Sequence, residues 1–176
     1  MCIFRDMKIP TTFFLWLSFA FANPLTVNAQ QSCESSGHHQ FDFWIGEWQV
    51  YDTLQQLIGT NRIEADYKHC LLREEWESAR GSKGTSYNYY QTSDSTWHQL
   101  WIDDSGTQLA LDGQWDGTAM RLSSKPFVSQ QQMRKHRISW IPDSDGTVWQ
   151  IWEVLDEDDQ RLNLLFKGQY KKKKEG

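Results

Sequence analysis

The sequence predicts an all-β protein, a ten-stranded antiparallel up-and-down barrel closed at one end by a short N-terminal helical plug. Three observations carry that expectation. From Glu47 onward, runs of alternating apolar and polar residues are separated by turn residues at regular spacing: Ser93-Asp94-Ser95, Asp103-Asp104-Ser105-Gly106, Asp116-Gly117, Asp143-Ser144-Asp145-Gly146 and Asp156 to Asp159. Asp followed by Gly supplies the positive φ that hairpin turns need. No segment after Trp48 shows a helical period. Finally, Phe41, Phe43, Trp44 and Ile45 crowd together just before the first strand, with the composition to fill a barrel mouth.

The alternating runs predict strands over 47–53, 58–69, 71–79, 84–92, 95–103, 106–114, 117–124, 133–142, 146–155 and 160–171. Consecutive strands joined by tight hairpins form a meander, and closing it removes edges that would otherwise aggregate. A barrel of that strand number is wide enough to enclose a ligand cavity. Gln40 to Ile45 reads as one helical turn.

Residues 1–29 read as a cleaved export signal. Arg5 and Lys8 form its basic start, Thr11 to Ala22 its apolar core and Val27-Asn28-Ala29 its cleavage site, with Met7 as an alternative start. The apolar run is too short to span a bilayer as a helix, so no integral membrane segment is expected after cleavage. No lipobox leads into a cysteine at the junction, so a freely soluble exported protein, periplasmic or extracellular, is expected. Residues 30–40 read as a linker, 41–171 as the barrel domain and 172–176 as a solvated basic tail. The formal charge of -5 becomes one unit more negative once Arg5, Asp6 and Lys8 are removed, which argues against nucleic acid as the partner.

Cys33 and Cys70 remain after cleavage, and an oxidising compartment makes a disulfide the expected pairing. The alternative is a metal site, since His38 and His39 lie near Cys33 and His69 adjoins Cys70. No CxxC unit supports it, and neither metal nor cofactor is expected.

Gly46-Glu47-Trp48 resembles the Gly-x-Trp signature at the first strand of lipocalins and their calycin relatives. With "GTNRIEADYKHCLLREEWE", "NYYQTSDSTWHQLWIDDSG", "RISWIPDSDGTVWQIWE" and "FKGQY", the longer phrase "FDFWIGEWQVYD" resembles a bacterial family of exported calycin-like proteins. The resemblance implies a ten-stranded barrel like those of fatty-acid-binding proteins and nitrobindins, and no reaction. Nitrobindins hold haem through a histidine late in the barrel. The last histidine here is His136, so haem binding by that route is not expected. Lipocalins also set a late arginine over the signature tryptophan, and Arg161 or Lys171 stands in the corresponding region.

Two strands share a pattern. Trp97, Gln99 and Trp101 fall on one face of theirs, and Val148, Gln150 and Trp152 on one face of another. Glu74 and Trp76 repeat it with a carboxylate. Turned inward, Glu74, Trp76, Gln99, Trp101, Gln150 and Trp152 would give apolar walls with a few polar groups, the make-up of a small-molecule site. Turned outward, they would be packing and surface. Glu74 and Glu75 are adjacent in a strand and so face opposite ways, which rules them out as an acid-base pair. No Gly-x-Ser-x-Gly elbow, His-Glu-x-x-His or phosphate-binding glycine loop is present. The leading expectation is a barrel binding a small apolar or amphipathic molecule. Its rivals are an enzyme using Glu74, His98 or His136, and a sugar-binding module using outer tryptophans such as Trp149.

Overall fold

The structure, a computed structural model, describes residues 33–173; the predicted export signal lies outside them, as do the first residues of the linker and the last of the basic tail. Eleven strands follow in order: β1 (Gly46–Tyr51), β2 (Leu57–Asp66), β3 (Leu71–Ser78), β4 (Lys83–Gln91), β5 (Thr96–Asp103), β6 (Gln108–Trp115), β7 (Met120–Ser123), β8 (Phe127–Ser129), β9 (Gln132–Pro142), β10 (Val148–Leu155) and β11 (Arg161–Lys172). Strands β1 to β6 each pair antiparallel with the next, β7 passes over β8 to β9, and β9, β10 and β11 continue to β1. Ten strands therefore close a barrel, as the turn spacing predicted. The eleventh, β8, is a short addition on β9, in a stretch read from sequence as strandless.

The turns work as their composition requires. Asp52, Asp103, Asp116 and Asp156 each use Oδ1 to accept backbone N–H groups two to four residues ahead, which holds the chain in the bend. In β1 to β7 alternate residues face in, the alternation is broken in β10 and β11 where their pairing shifts register, and the core runs through the barrel from Phe41 and Trp44 to Leu109 and Ile138.

The end from which β1 departs is sealed. Two 3-10 turns, Ser36–His39 and Asp42–Trp44, precede β1; the second falls within the predicted helical turn. Phe41 and Trp44 are fully buried. The Phe41 ring stacks on Trp44 at 4.9 Å and meets Trp140 at 5.1 Å and Trp97 at 5.5 Å. Trp48 is buried as well, and its indole Nε1 donates to the Trp44 carbonyl at 2.8 Å. Cys33 and Cys70 form a disulfide that ties this segment to the turn between β2 and β3.

Gly46 has φ +134, a backbone conformation that favours glycine, and the Lys172 amine lies over the space a Cβ would enter. That amine donates to the Ile45 carbonyl and stands 4.0 Å above the Trp48 ring. The cation over Trp48 is thus Lys172. Arg161 instead pairs with Glu153 at 3.2 Å, and Lys171 lies over Tyr51 at 5.0 Å. The reason is strand parity: Lys172 shares the inner face with Tyr170, and Lys171 does not.

Candidate functional site

Below the plug, β3, β5 and β10 turn Glu74, Trp76, Gln99, Trp101, Gln150 and Trp152 toward the interior. All six line one cavity of about 130 Å³, together with Leu109, Ile138, Phe166 and Tyr170. Glu74 and Gln99 are buried, while the three tryptophans and Gln150 are half-buried. Room for the rings comes from the neighbouring strands: a Cβ at Gly84 of β4 would collide with the Trp101 indole. Trp149 faces the other way, with Lys167 Nζ 5.1 Å above its ring. The Gln-x-Trp faces of β5 and β10 therefore point inward, onto the cavity and not the outer wall.

The polar side of the cavity is a connected set. Asn61 Nδ2 donates to Glu74 Oε1 at 2.7 Å and to the Tyr170 hydroxyl at 3.2 Å. Ser86 Oγ donates to Glu74 Oε2 at 2.5 Å and accepts from Asn88 Nδ2 at 2.9 Å. Gln99 Nε2 donates to Asn88 Oδ1 at 2.7 Å, and the Tyr170 hydroxyl donates to Gln150 Oε1. Asn61, Ser86, Asn88 and Tyr170 were not singled out from sequence. Each falls on an inner face by strand alternation, so parity would have found them; polar residues in a strand read by default as solvent-facing.

Burial dominates the electrostatics. It pushes the Glu74 carboxyl up to about 7, against the opposing hydrogen bonds from Ser86 and Asn61. Burial, reinforced by the nearby Glu74 carboxyl, also raises the Tyr170 hydroxyl well above its ordinary value. Near neutral pH Glu74 therefore keeps its proton far more readily than an exposed carboxyl does, in a site that fixes both its oxygens. Glu75, by contrast, faces solvent; the hydrogen bond from Arg62 leads the effects that hold its carboxyl down.

The two strand histidines part company. His136 turns toward the interior, where its Nδ1 accepts the Trp152 indole N–H at 3.0 Å and its ring stacks on Phe127 of β8 at 5.1 Å. His98 is on the outer wall, bonded to Asp112 at 2.6 Å and stacked on Tyr89. A larger hollow of about 700 Å³ runs along β1 to β5. Among its charged lining residues, Arg62 pairs with Glu75, Lys83 with Glu77 and Lys173 with Glu47, while Asp103 and Asp104 accept backbone N–H groups from Ser105, Thr107 and Lys83. Among the described residues, the group His39, Asp42 and His69 is close enough to share an ion; it lies at the plug end, away from the cavity.

Comparison with protein-family models and with curated proteins found no match for this chain.

Proposed function

We propose that this protein is an exported, calycin-like binding barrel that takes a small, largely apolar molecule into the interior cavity. The observation that supports it most is the pairing of aromatic walls with an ordered polar layer in one unfilled space. Trp76, Trp101, Trp152 and Phe166 offer flat apolar surface, and Glu74, Gln99, Gln150 and Tyr170 are pre-positioned to orient one polar group. The volume bounds the ligand. A cavity of about 150 Å³ accepts a benzene ring, so a space of about 130 Å³ suits a molecule of one ring or a short branched chain, not a full-length fatty acid. The disulfide fits an oxidising compartment, and no described helix is long and apolar enough to cross a membrane.

One observation favours a second reading. A buried carboxyl that titrates near 7 has the value a general acid or base needs at neutral pH, so turnover of the bound molecule through Glu74 is the alternative. Thermal-shift screening with ring-sized fragments tests the binding reading. Fragments carrying one polar group should raise the melting temperature, and Trp101→Ala should abolish the rise. If no fragment stabilises the wild type, or Trp101→Ala responds equally, the cavity is not the site. Glu74→Gln separates the two readings: it should leave fragment binding in place under both and stop any conversion of the fragment, followed by NMR, under the second alone.

A further inference from the structure

We infer that the plug end carries a second site, in which His39, Asp42 and His69 bind a divalent transition-metal ion of the zinc or copper class. The donors come from two segments, His39 and Asp42 from the plug and His69 from the turn between β2 and β3. They all lie within 4.8 Å of one another. His39 Nδ1 is 2.7 Å from Asp42 Oδ2, and His69 Nδ1 is 3.4 Å from Asp42 Oδ1. Ligand bonds of about 2.0 to 2.1 Å place tetrahedral donors about 3.3 Å apart, so modest side-chain rotation closes the set around an ion. The side chains of His39, Asp42 and His69 are 41%, 33% and 38% exposed, which gives the ion a route in and water a place as fourth ligand.

Two observations set this group apart from an ordinary surface ion pair. Among the described residues eight buried side-chain polar atoms lack a hydrogen-bond partner, and two of them, Asp42 Oδ1 and His69 Nδ1, stand 3.4 Å apart within this one group. Buried polar atoms are almost always satisfied, and an ion between these two would satisfy both. The backbone is also strained toward the site: Tyr67, Lys68 and His69 have φ of 50, 57 and 64. Three successive non-glycine residues in the left-handed region are unfavourable for L side chains, and such strain gathers where a ligand site needs a side chain in one place. The disulfide between Cys33 and Cys70 pins both contributing segments beside the group.

Two imidazoles and one carboxylate match zinc and copper, whereas magnesium and calcium prefer oxygen donors throughout. The sequence reading assigned no metal, and the alternative it weighed drew on the cysteines; here these are joined to each other and Asp42 supplies the third donor. A bound ion would clasp the plug to the β2–β3 turn and stabilise the folded barrel by linkage.

The test uses the untagged mature chain stripped of metal by a chelator. Calorimetric titration with Zn²⁺ should show one equivalent bound at micromolar or tighter affinity. His69→Gln and Asp42→Asn should weaken binding by about tenfold or more, while His98→Gln on the outer wall should bind as the wild type does. Because substitutions in a strained turn can disturb folding, Cu²⁺ is also read by electron paramagnetic resonance on the unaltered chain, where coupling to two imidazole nitrogens is expected. Absence of saturable Zn²⁺ binding, binding that His69→Gln leaves unchanged, or a Cu²⁺ spectrum without two coupled imidazoles would overturn the inference.

Discussion

The two halves of the barrel interior use the same residue type for opposite ends. At the plug, Trp44, Trp48, Trp97 and Trp140 are sealed, each at 1% exposure or less, and their rings fill the space between Phe41 and the strands. At the far end Trp76, Trp101 and Trp152 are half-buried and stand around a cavity. Between the two lies the polar layer of Asn61, Glu74, Ser86, Asn88 and Gln99, all buried. A fold that needed only a core would continue the apolar packing across the layer. Here the plug half supplies stability and the far half is left incompletely filled, around a carboxyl that burial holds near neutrality. The difference teaches that tryptophan content alone does not mark a site; what marks it is tryptophan beside unfilled volume and ordered polar groups.

The largest effect expected from this contrast is at the plug. Trp44→Ala or Trp48→Ala removes a fully packed ring and should cost about 3 to 5 kcal/mol, whereas Trp101→Ala enlarges an existing space and should cost about 1 to 2 kcal/mol. Urea unfolding of the three variants measures this, and equal losses would erase the distinction between the halves. Next comes the disulfide, which also serves the plug end. With sequence separation 37, Cys33→Ser with Cys70→Ser should lower stability by about 4 kcal/mol in the chain-entropy model, and the intact mass of the wild type should show no free thiol.

A third effect belongs to the polar layer. Between pH 4.5 and about 7 the folded state keeps the proton on Glu74 that the unfolded chain releases. The Glu74 contribution is therefore intact below 4.5 and is lost as pH rises, by roughly 3 kcal/mol across the window. His38 and His136, whose pKa values burial lowers, slope the opposite way, so the quantity to measure is the difference between wild type and Glu74→Gln. That difference should shift toward the variant as pH rises; a flat difference would mean that Glu74 ionises as an exposed carboxyl does. The smallest effect is at the lid of the plug. Lys172→Met keeps the stem but loses the amine over Trp48, and should cost about 1 kcal/mol.

Much of this was legible before the structure. The aspartate and glycine punctuation marks the hairpins because those residues bond their own backbone, and period-two alternation alone puts Gln99 with Trp101 and Gln150 with Trp152. Three features were not legible, for physical reasons. The β8–β9 hairpin turns on Gln130 and Gln131, at φ 52 and 63, where the usual Asn or Gly is missing, so nothing announces it. Parity places the members of the polar layer on inner faces, but which of them meet, as Asn61 does with Tyr170, depends on register across several strands. His69 meets Asp42 through a left-handed turn that its residues, Tyr67 to His69, do not favour.

The central claim is that the far end of the barrel, and not the plug, receives a small molecule. The indole N–H resonances of the tryptophans report on both ends in one ¹⁵N NMR titration with ring-sized fragments. The account predicts saturable shifts at Trp76, Trp101 and Trp152 while Trp44, Trp97 and Trp140 stay in place. Shifts confined to the outward Trp149, or none at the cavity tryptophans for any fragment, would contradict it.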